Sequence, residues 1–85
     1  MSFEKNIWNQ LKNLTAEDLC RALNRDGWTC DMKGGSMRIY MNAAAKRRVN
    51  IHYHPGKTYG AKMLQGLLED IGWNEDQLRA LKLIT

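Results

Sequence analysis

Two histidines and a lysine lie close together in the segment 52–60, as His52, His54 and Lys57. The two histidines are two residues apart, so in an extended strand their imidazoles share one face. Imidazole can donate or accept a proton near neutral pH, and phosphodiester cleavage needs both an acid and a base. The same pair could instead form a polar, solvated sheet edge, with His54 shaping the following turn. A metal site is not predicted, because His-x-His offers no third ligand at a suitable spacing.

These residues belong to a strongly basic segment. Residues 33–62 carry seven basic side chains and no acidic one, whereas residues 1–32 and 63–85 are each slightly acidic. Such segregation favours a polyanionic partner, most simply nucleic acid. A solvated basic face without a partner is the alternative. Lys57 and Lys62 flank the start of a predicted helix, where a phosphate could bind.

Length and composition exclude several classes of protein. The 85 residues suffice for one small domain. No apolar run approaches the roughly 20 residues of a membrane span, and no signal peptide is visible, so a cytoplasmic protein without membrane contact is expected. Cys20 and Cys30 are isolated and are expected to be buried thiols, although a disulfide between them stays open. No nucleotide-binding glycine pattern occurs, and no cofactor is predicted.

The elements that must position these groups follow from apolar spacing. Helices are predicted over residues 3–14, 15–26, 61–71 and 74–84, and strands over 28–33, 36–42 and 47–53. Gly34 and Gly35 predict a tight turn between the first two strands. Short connections make the sheet antiparallel, and both long helices must cover one face. The predicted fold is α+β, with an α-β-β-β-α core over 15–73 and accessory terminal helices in one domain, 1–85.

Alternation assigns the faces of this sheet. On the third strand, Val49 and Ile51 share the side expected to be buried, together with Tyr53. The polar residues on the other side, expected on the open face, are Arg48, Asn50, His52 and His54. Several further apolar side chains are interpreted as core: Trp28, Met32, Met37, Met41 and, on the helix 61–71, Met63.

Three motifs, in this order and spacing, make residues 15–73 resemble the HicA toxin family. They are D-G-W at 26–28, G-S-M-R-I-Y at 35–40 and H-P-G-K at 54–57, the last followed by the helix 61–71 and Gly72. The resemblance implies a fold like that of double-stranded-RNA-binding domains. It also implies a toxin that cleaves mRNA without a metal, and a HicB antitoxin as partner.

One departure falls on the family's catalytic histidine. That histidine occupies the slot of Met37 or, in some members, of Arg38. Methionine transfers no proton, and arginine stays protonated, so it could stabilise a phosphorane but not act as a base. Three explanations stay open. The protein is a non-cleaving relative, His52 or His54 has taken over the role, or Met37 is a substitution that tames a toxic protein.

The residues expected to contact RNA come from the basic segment and its neighbours. They are Lys33, Ser36, Arg38, Tyr40, Lys46, Arg47, Arg48, Lys57 and Lys62. Tyr40 could stack on a base or be a core or edge aromatic. Two functions therefore remain: a ribonuclease toxin, or a module of the same fold that binds RNA or protein without cleaving.

Overall fold

The computed structural model describes residues 3–32, 36–54 and 56–85. Their elements are α1 (Lys5–Leu11), α2 (Ala16–Arg25), β1 (Thr29–Met32), β2 (Met37–Asn42), β3 (Arg47–His52), α3 (Ala61–Ile71) and α4 (Glu75–Ala80). The predicted G-G turn, Lys33 and the Pro55 of H-P-G-K lie outside the described residues. None of the helices among the described residues is long and apolar enough to cross a membrane.

Side-chain caps fix where α2 and α4 begin. The Thr15 hydroxyl accepts the amide of Asp18 at 3.2 Å, and the Asp18 carboxylate accepts the amide of Thr15 at 3.2 Å. Asn74 and Gln77 form the same reciprocal box at the start of α4. These pairs satisfy amides that a helix leaves free at its first turn, so polar sequence signals set both boundaries.

The three strands form one antiparallel sheet in the order β1-β2-β3, as predicted. In the β2–β3 register, Tyr40 lies opposite Val49 and Arg38 lies opposite Ile51. Because Val49 and Ile51 are buried, this side of the sheet is the one that α2 and α3 cover. The other side carries no helix among the described elements.

The assignment of β2 to the core through its methionines is wrong. Tyr40 is only 1% exposed and fills the core, whereas Met41 is 41% exposed and Met37 is half-buried on the open side. The registers explain this result, because Met37 and Met41 pair with polar residues of β3. Trp28 is buried as expected, and the Met32 side chain lies outside what the structure describes.

Two other burial predictions are also corrected. Cys20 is buried, but Cys30 is exposed and both thiols are free. Met63 is 54% exposed, although it lies in the first turn of α3, whose residues Leu64 and Leu68 are buried. The first and last helices contribute to the same core through residues such as Ile7 and Leu78.

The Asp26 side chain links the end of α2 to the segment that follows α3. The Asp26 carboxylate accepts the indole N–H of Trp28 at 3.0 Å and that of Trp73 at 2.7 Å. Both indoles are buried, so each would otherwise leave a polar group without a partner. The D-G-W motif is therefore a structural anchor.

Candidate functional site

Met37 and His52 are directly opposite each other on β2 and β3. One step along the ladder, the Tyr53 amide donates to the Ser36 carbonyl at 2.6 Å. Because hydrogen-bonded and non-hydrogen-bonded pairs alternate in antiparallel sheets, Met37 and His52 form a non-hydrogen-bonded pair, in which side chains approach most closely. A side chain in the Met37 slot is therefore a direct neighbour of the His52 imidazole on the open face.

The rest of the open face follows from the same register. Ile39 lies opposite Asn50 and Met41 lies opposite Arg48, so a partly apolar row on β2 runs beside a polar row on β3. Asn50, Arg48 and His52 are all exposed. The predicted polar side of β3 is thus the open face, and it carries a cation at one end and an imidazole at the other.

Arg38 points to the opposite side of the sheet. Its guanidinium lies 3.7 Å from the centroid of the Tyr53 ring and next to the Cys20 thiol and the Tyr40 hydroxyl. Such a stacked position stabilises a cation against an aromatic face. Met37 and Arg38 therefore belong to two different surroundings, and a group in the Arg38 slot faces away from the His52 side chain.

The surroundings of Tyr40 decide between the two interpretations of this residue. The ring is buried in the core, so it presents no face on which a base could stack. Burial, together with hydrogen bonds to the Cys20 and Cys30 thiols, raises the pKa of Tyr40 well above its ordinary value. Its hydroxyl stays protonated and serves the interior of the protein.

The loop after β3 is held by contacts at several points. The Gly56 amide donates to the Glu17 carboxylate at 3.1 Å, and Thr58 forms a β-bridge with Thr15. The Tyr59 hydroxyl donates to the His52 carbonyl at 3.3 Å. Burial, with a smaller contribution from Cys20, raises the pKa of Tyr59 to about 12, so this donor stays protonated. These contacts fix the loop between the end of β3 and the start of α2.

A groove with a volume of about 390 Å³ opens between the end of β3 and the first turn of α3. Its lining includes His52, His54, Lys57, Tyr59 and Met63. We call it the β3–α3 groove. It brings together both candidate histidines and one candidate phosphate ligand. Sequence reasoning missed Tyr59 and Met63, because the apolar stripe of the helix made Met63 look like core.

The basic residues do not all share one role. Lys46, Arg48, Lys57 and Lys62 are exposed, as is Ser36. The Arg47 guanidinium instead donates to the carbonyl oxygens of Glu69 and Asp70, each at 3.3 Å. Those carbonyls end α3, where a cation offsets the negative end of the helix dipole. Arg47 is therefore engaged in holding α3 against the sheet.

The start of α3 carries no acidic side chain. Gly60 precedes the helix, and no side chain among the described residues caps its first amides. Lys62 adds a positive charge to this turn. The described residues contain no group of three or more His, Cys, Asp or Glu side chains that could hold a metal ion.

Comparison with known proteins identifies the family. No curated protein matches the chain. A family model described as HicA toxin of bacterial toxin-antitoxin matches residues 16–73, which is more than half of the sequence and spans everything from α2 to Trp73. The chain therefore belongs to the HicA family of bacterial toxin–antitoxin toxins.

Proposed function

We propose that this toxin acts on RNA, binding it across the open face of the sheet and the β3–α3 groove. What carries the proposal is the pairing of Met37 with His52. Met37, one of the two positions where the resemblance places the family's histidine, is directly opposite an exposed imidazole, beside a groove that holds a second imidazole and a lysine.

Four exposed cations are the phosphate ligands in this proposal: Lys46, Arg48, Lys57 and Lys62. The described part of the basic segment offers them no acidic neighbour along the chain, which favours a polyanion. Ser36 is exposed at the start of β2 and would contact RNA as a neutral donor. Lys33 keeps its predicted role as a ligand from outside the described residues.

Cleavage by the chain as it stands is proposed to be slow. RNA cleavage needs a base for the 2′-hydroxyl and an acid for the leaving oxygen, and Met37 supplies neither. The remaining proton-transfer groups near this slot are His52, its cross-strand neighbour, and His54 in the groove. Loss of a general acid or base costs about 10²–10⁴ in rate, so His52 and His54 would support weak activity.

The second candidate is an RNA-binding module that does not cleave. The observation that favours it is again Met37, because neither Met37 nor Arg38, the two positions where the resemblance places the family's histidine, is a histidine, while the exposed cations are still present. Both candidates predict RNA binding at the same face, and a measurement of cleavage separates them.

The experiment that tests the proposal is Met37→His, assayed for cleavage of single-stranded RNA. We expect cleavage to rise by at least tenfold, because the new imidazole would be the neighbour of His52. Met41→His is the matched control. It places the same side chain on the same strand and face but opposite Arg48, and we expect no gain from it.

Two further variants complete the test. Replacing His52 by Ala in the Met37→His background should remove most of the gain. If Met37→His folds and stays inactive while Arg38→His becomes active, the reacting groups lie on the Tyr53 side of the sheet and the proposed face is wrong. Brisk cleavage by the unmodified chain that survives replacement of both His52 and His54 by Ala would also refute it.

A further inference from the structure

The β3–α3 groove has a feature that the phosphate contacts leave unexplained. Met63 is 54% exposed on the first turn of α3, while the next residue, Leu64, is 1% exposed in the core. Among the large apolar side chains of the described residues, Met41 and Met63 are the exposed ones. An apolar side chain that stays in water gains no free energy from burial when the protein folds. A groove lined by such a side chain suits an apolar or flat ligand.

Tyr59 forms a fixed wall of the same groove. Its hydroxyl is engaged with the His52 carbonyl, and its ring is half-buried. The loop behind it is held by the Gly56–Glu17 hydrogen bond and the Thr15–Thr58 bridge. A ring held in this way can stack on a ligand with little further loss of conformational entropy.

The groove is continuous with the proposed RNA-binding face and is basic at its rim. His52 belongs both to the groove lining and to the open face, where it pairs with Met37. Lys57 supplies the positive charge among the lining residues. A ligand that joins a flat ring to an adjacent anion is therefore complementary to the groove.

We propose that the β3–α3 groove is a subsite for one unpaired RNA base, enclosed by Tyr59, His54 and Met63, with its phosphate at Lys57. Unpaired bases bind proteins by stacking on tyrosine and histidine rings, whereas a base inside a duplex is stacked between its neighbours and cannot enter. This inference rests on the proposed function. It commits the site to single-stranded RNA, although the fold resembles that of double-stranded-RNA-binding domains.

The test measures binding of a cleavage-resistant single-stranded RNA over a series of salt concentrations. Met63→Ala should weaken binding by about fivefold or more, since the base would lose its apolar contact with this side chain. The slope of log affinity against log salt should not change, because no phosphate contact is lost. Lys57→Ala should instead make that slope shallower by about one.

Matched variants separate lost ligand contact from damage to the fold. Gln65→Ala truncates an exposed side chain on the same helix, outside the groove, and should bind like the unmodified chain. Met63→Leu keeps the apolar volume and should restore most of the affinity. An RNA that lacks one base leaves the subsite empty when the abasic position is the one bound there. Met63→Ala should not change the affinity for that RNA.

The outcomes distinguish this inference from the function beneath it. If Met63→Ala binds normally while Lys57→Ala weakens binding, RNA binding stands and the base subsite is wrong. The subsite is equally wrong if Met63→Ala weakens duplex and single-stranded RNA alike. If the unmodified chain binds no RNA, the proposed function fails, and the subsite with it.

Discussion

The neighbouring residues Met37 and Arg38 show how one position in a strand separates two chemistries. Met37 is beside an exposed imidazole, whereas Arg38 is stacked on Tyr53 at 3.7 Å on the helix-covered side. Since side chains in a strand alternate between faces, a histidine introduced at position 38 would lie on the opposite face of the sheet from one introduced at position 37. The comparison of Met37→His with Arg38→His therefore tests which face carries the proposed cleavage.

Tyr59 gives a residue-level prediction about alkaline stability. Burial raises its pKa to about 12 in the folded protein, against an ordinary value of 10.0 for tyrosine. As pH rises from that ordinary value, the unfolded state loses the proton first, so the free energy of unfolding should fall until the folded pKa is passed. Tyr59→Phe should reduce this alkaline loss and, through the missing hydrogen bond, cost about 1 kcal/mol at neutral pH.

Denaturant unfolding at neutral and alkaline pH measures both effects. All other titratable groups are common to the two proteins, so their contributions cancel in the difference. An alkaline decline of the same size in Tyr59→Phe would show that this hydroxyl contributes nothing to it.

At the scale of elements, Arg47 and Arg48 are adjacent in β3 but serve different purposes. Arg47 is bonded to the last carbonyls of α3, and next to it the chain turns at Gly72 with a φ of +83°. A β-carbon at Gly72 would come within 2.7 Å of the guanidinium carbon. The end of α3 is therefore built around this arginine, while Arg48 extends from the open face.

This difference predicts two separable variants. Arg47→Ala should lower the free energy of unfolding by about 0.5–1 kcal/mol, since a cation at a helix C-terminus is lost. Arg48→Ala should leave stability nearly unchanged, weaken RNA binding and make its salt slope shallower by about one. Thermal unfolding and RNA titration of the two single variants give the comparison. Equal losses of RNA affinity in two equally stable variants would contradict it.

Order and type of the elements could be predicted from sequence, because caps and turns are local. Thr15 with Asp18, Asn74 with Gln77 and Gly72 each act within a few residues of their own boundary. The buried face of β2 could not be predicted from the sequence, because Met37 and Met41 on one side and Tyr40 on the other all look apolar. Pairing with β3 decides that question, and pairing is a tertiary property.

Only part of the candidate site could be predicted from the sequence, because residue types are local properties whereas side-chain contacts are tertiary ones. The imidazoles and cations are visible in the sequence as residue types, and their segregation marks the segment that carries them. The sequence does not show which of these side chains hold the fold together and which stay free to bind a ligand. Arg47 is drawn to α3 across 22 residues of sequence, and Met63 enters the groove because α3 starts beside the end of β3.

At the scale of the whole molecule, family membership and charge together predict the antitoxin surface. The chain carries a formal charge of +4, with its basic residues concentrated in the segment that forms β2, β3 and the groove. We expect a HicB-like antitoxin to cover the open face, because complementary charge favours association and the same contact would exclude RNA.

Co-expression with the product of the adjacent reading frame, followed by pull-down, tests this expectation. Arg48→Glu should weaken the complex, and Lys5→Glu, a charge reversal at an exposed residue of α1, should not. A complex equally tolerant of both changes would place the antitoxin elsewhere. Failure to form any complex, with both proteins soluble, would favour a stand-alone module.

The hydrogen bonds from the Asp26 carboxylate also limit when this fold can be completed during synthesis. The Asp26 carboxylate accepts a hydrogen bond from Trp73, which follows it by 47 residues. The Gln10 side chain accepts hydrogen bonds from Thr85, which follows it by 75 residues. A nascent chain on the ribosome cannot complete either contact until those late residues have emerged. The sheet residues are therefore synthesised before Trp73 and Thr85, and these contacts can close the core only after both of those residues have been made.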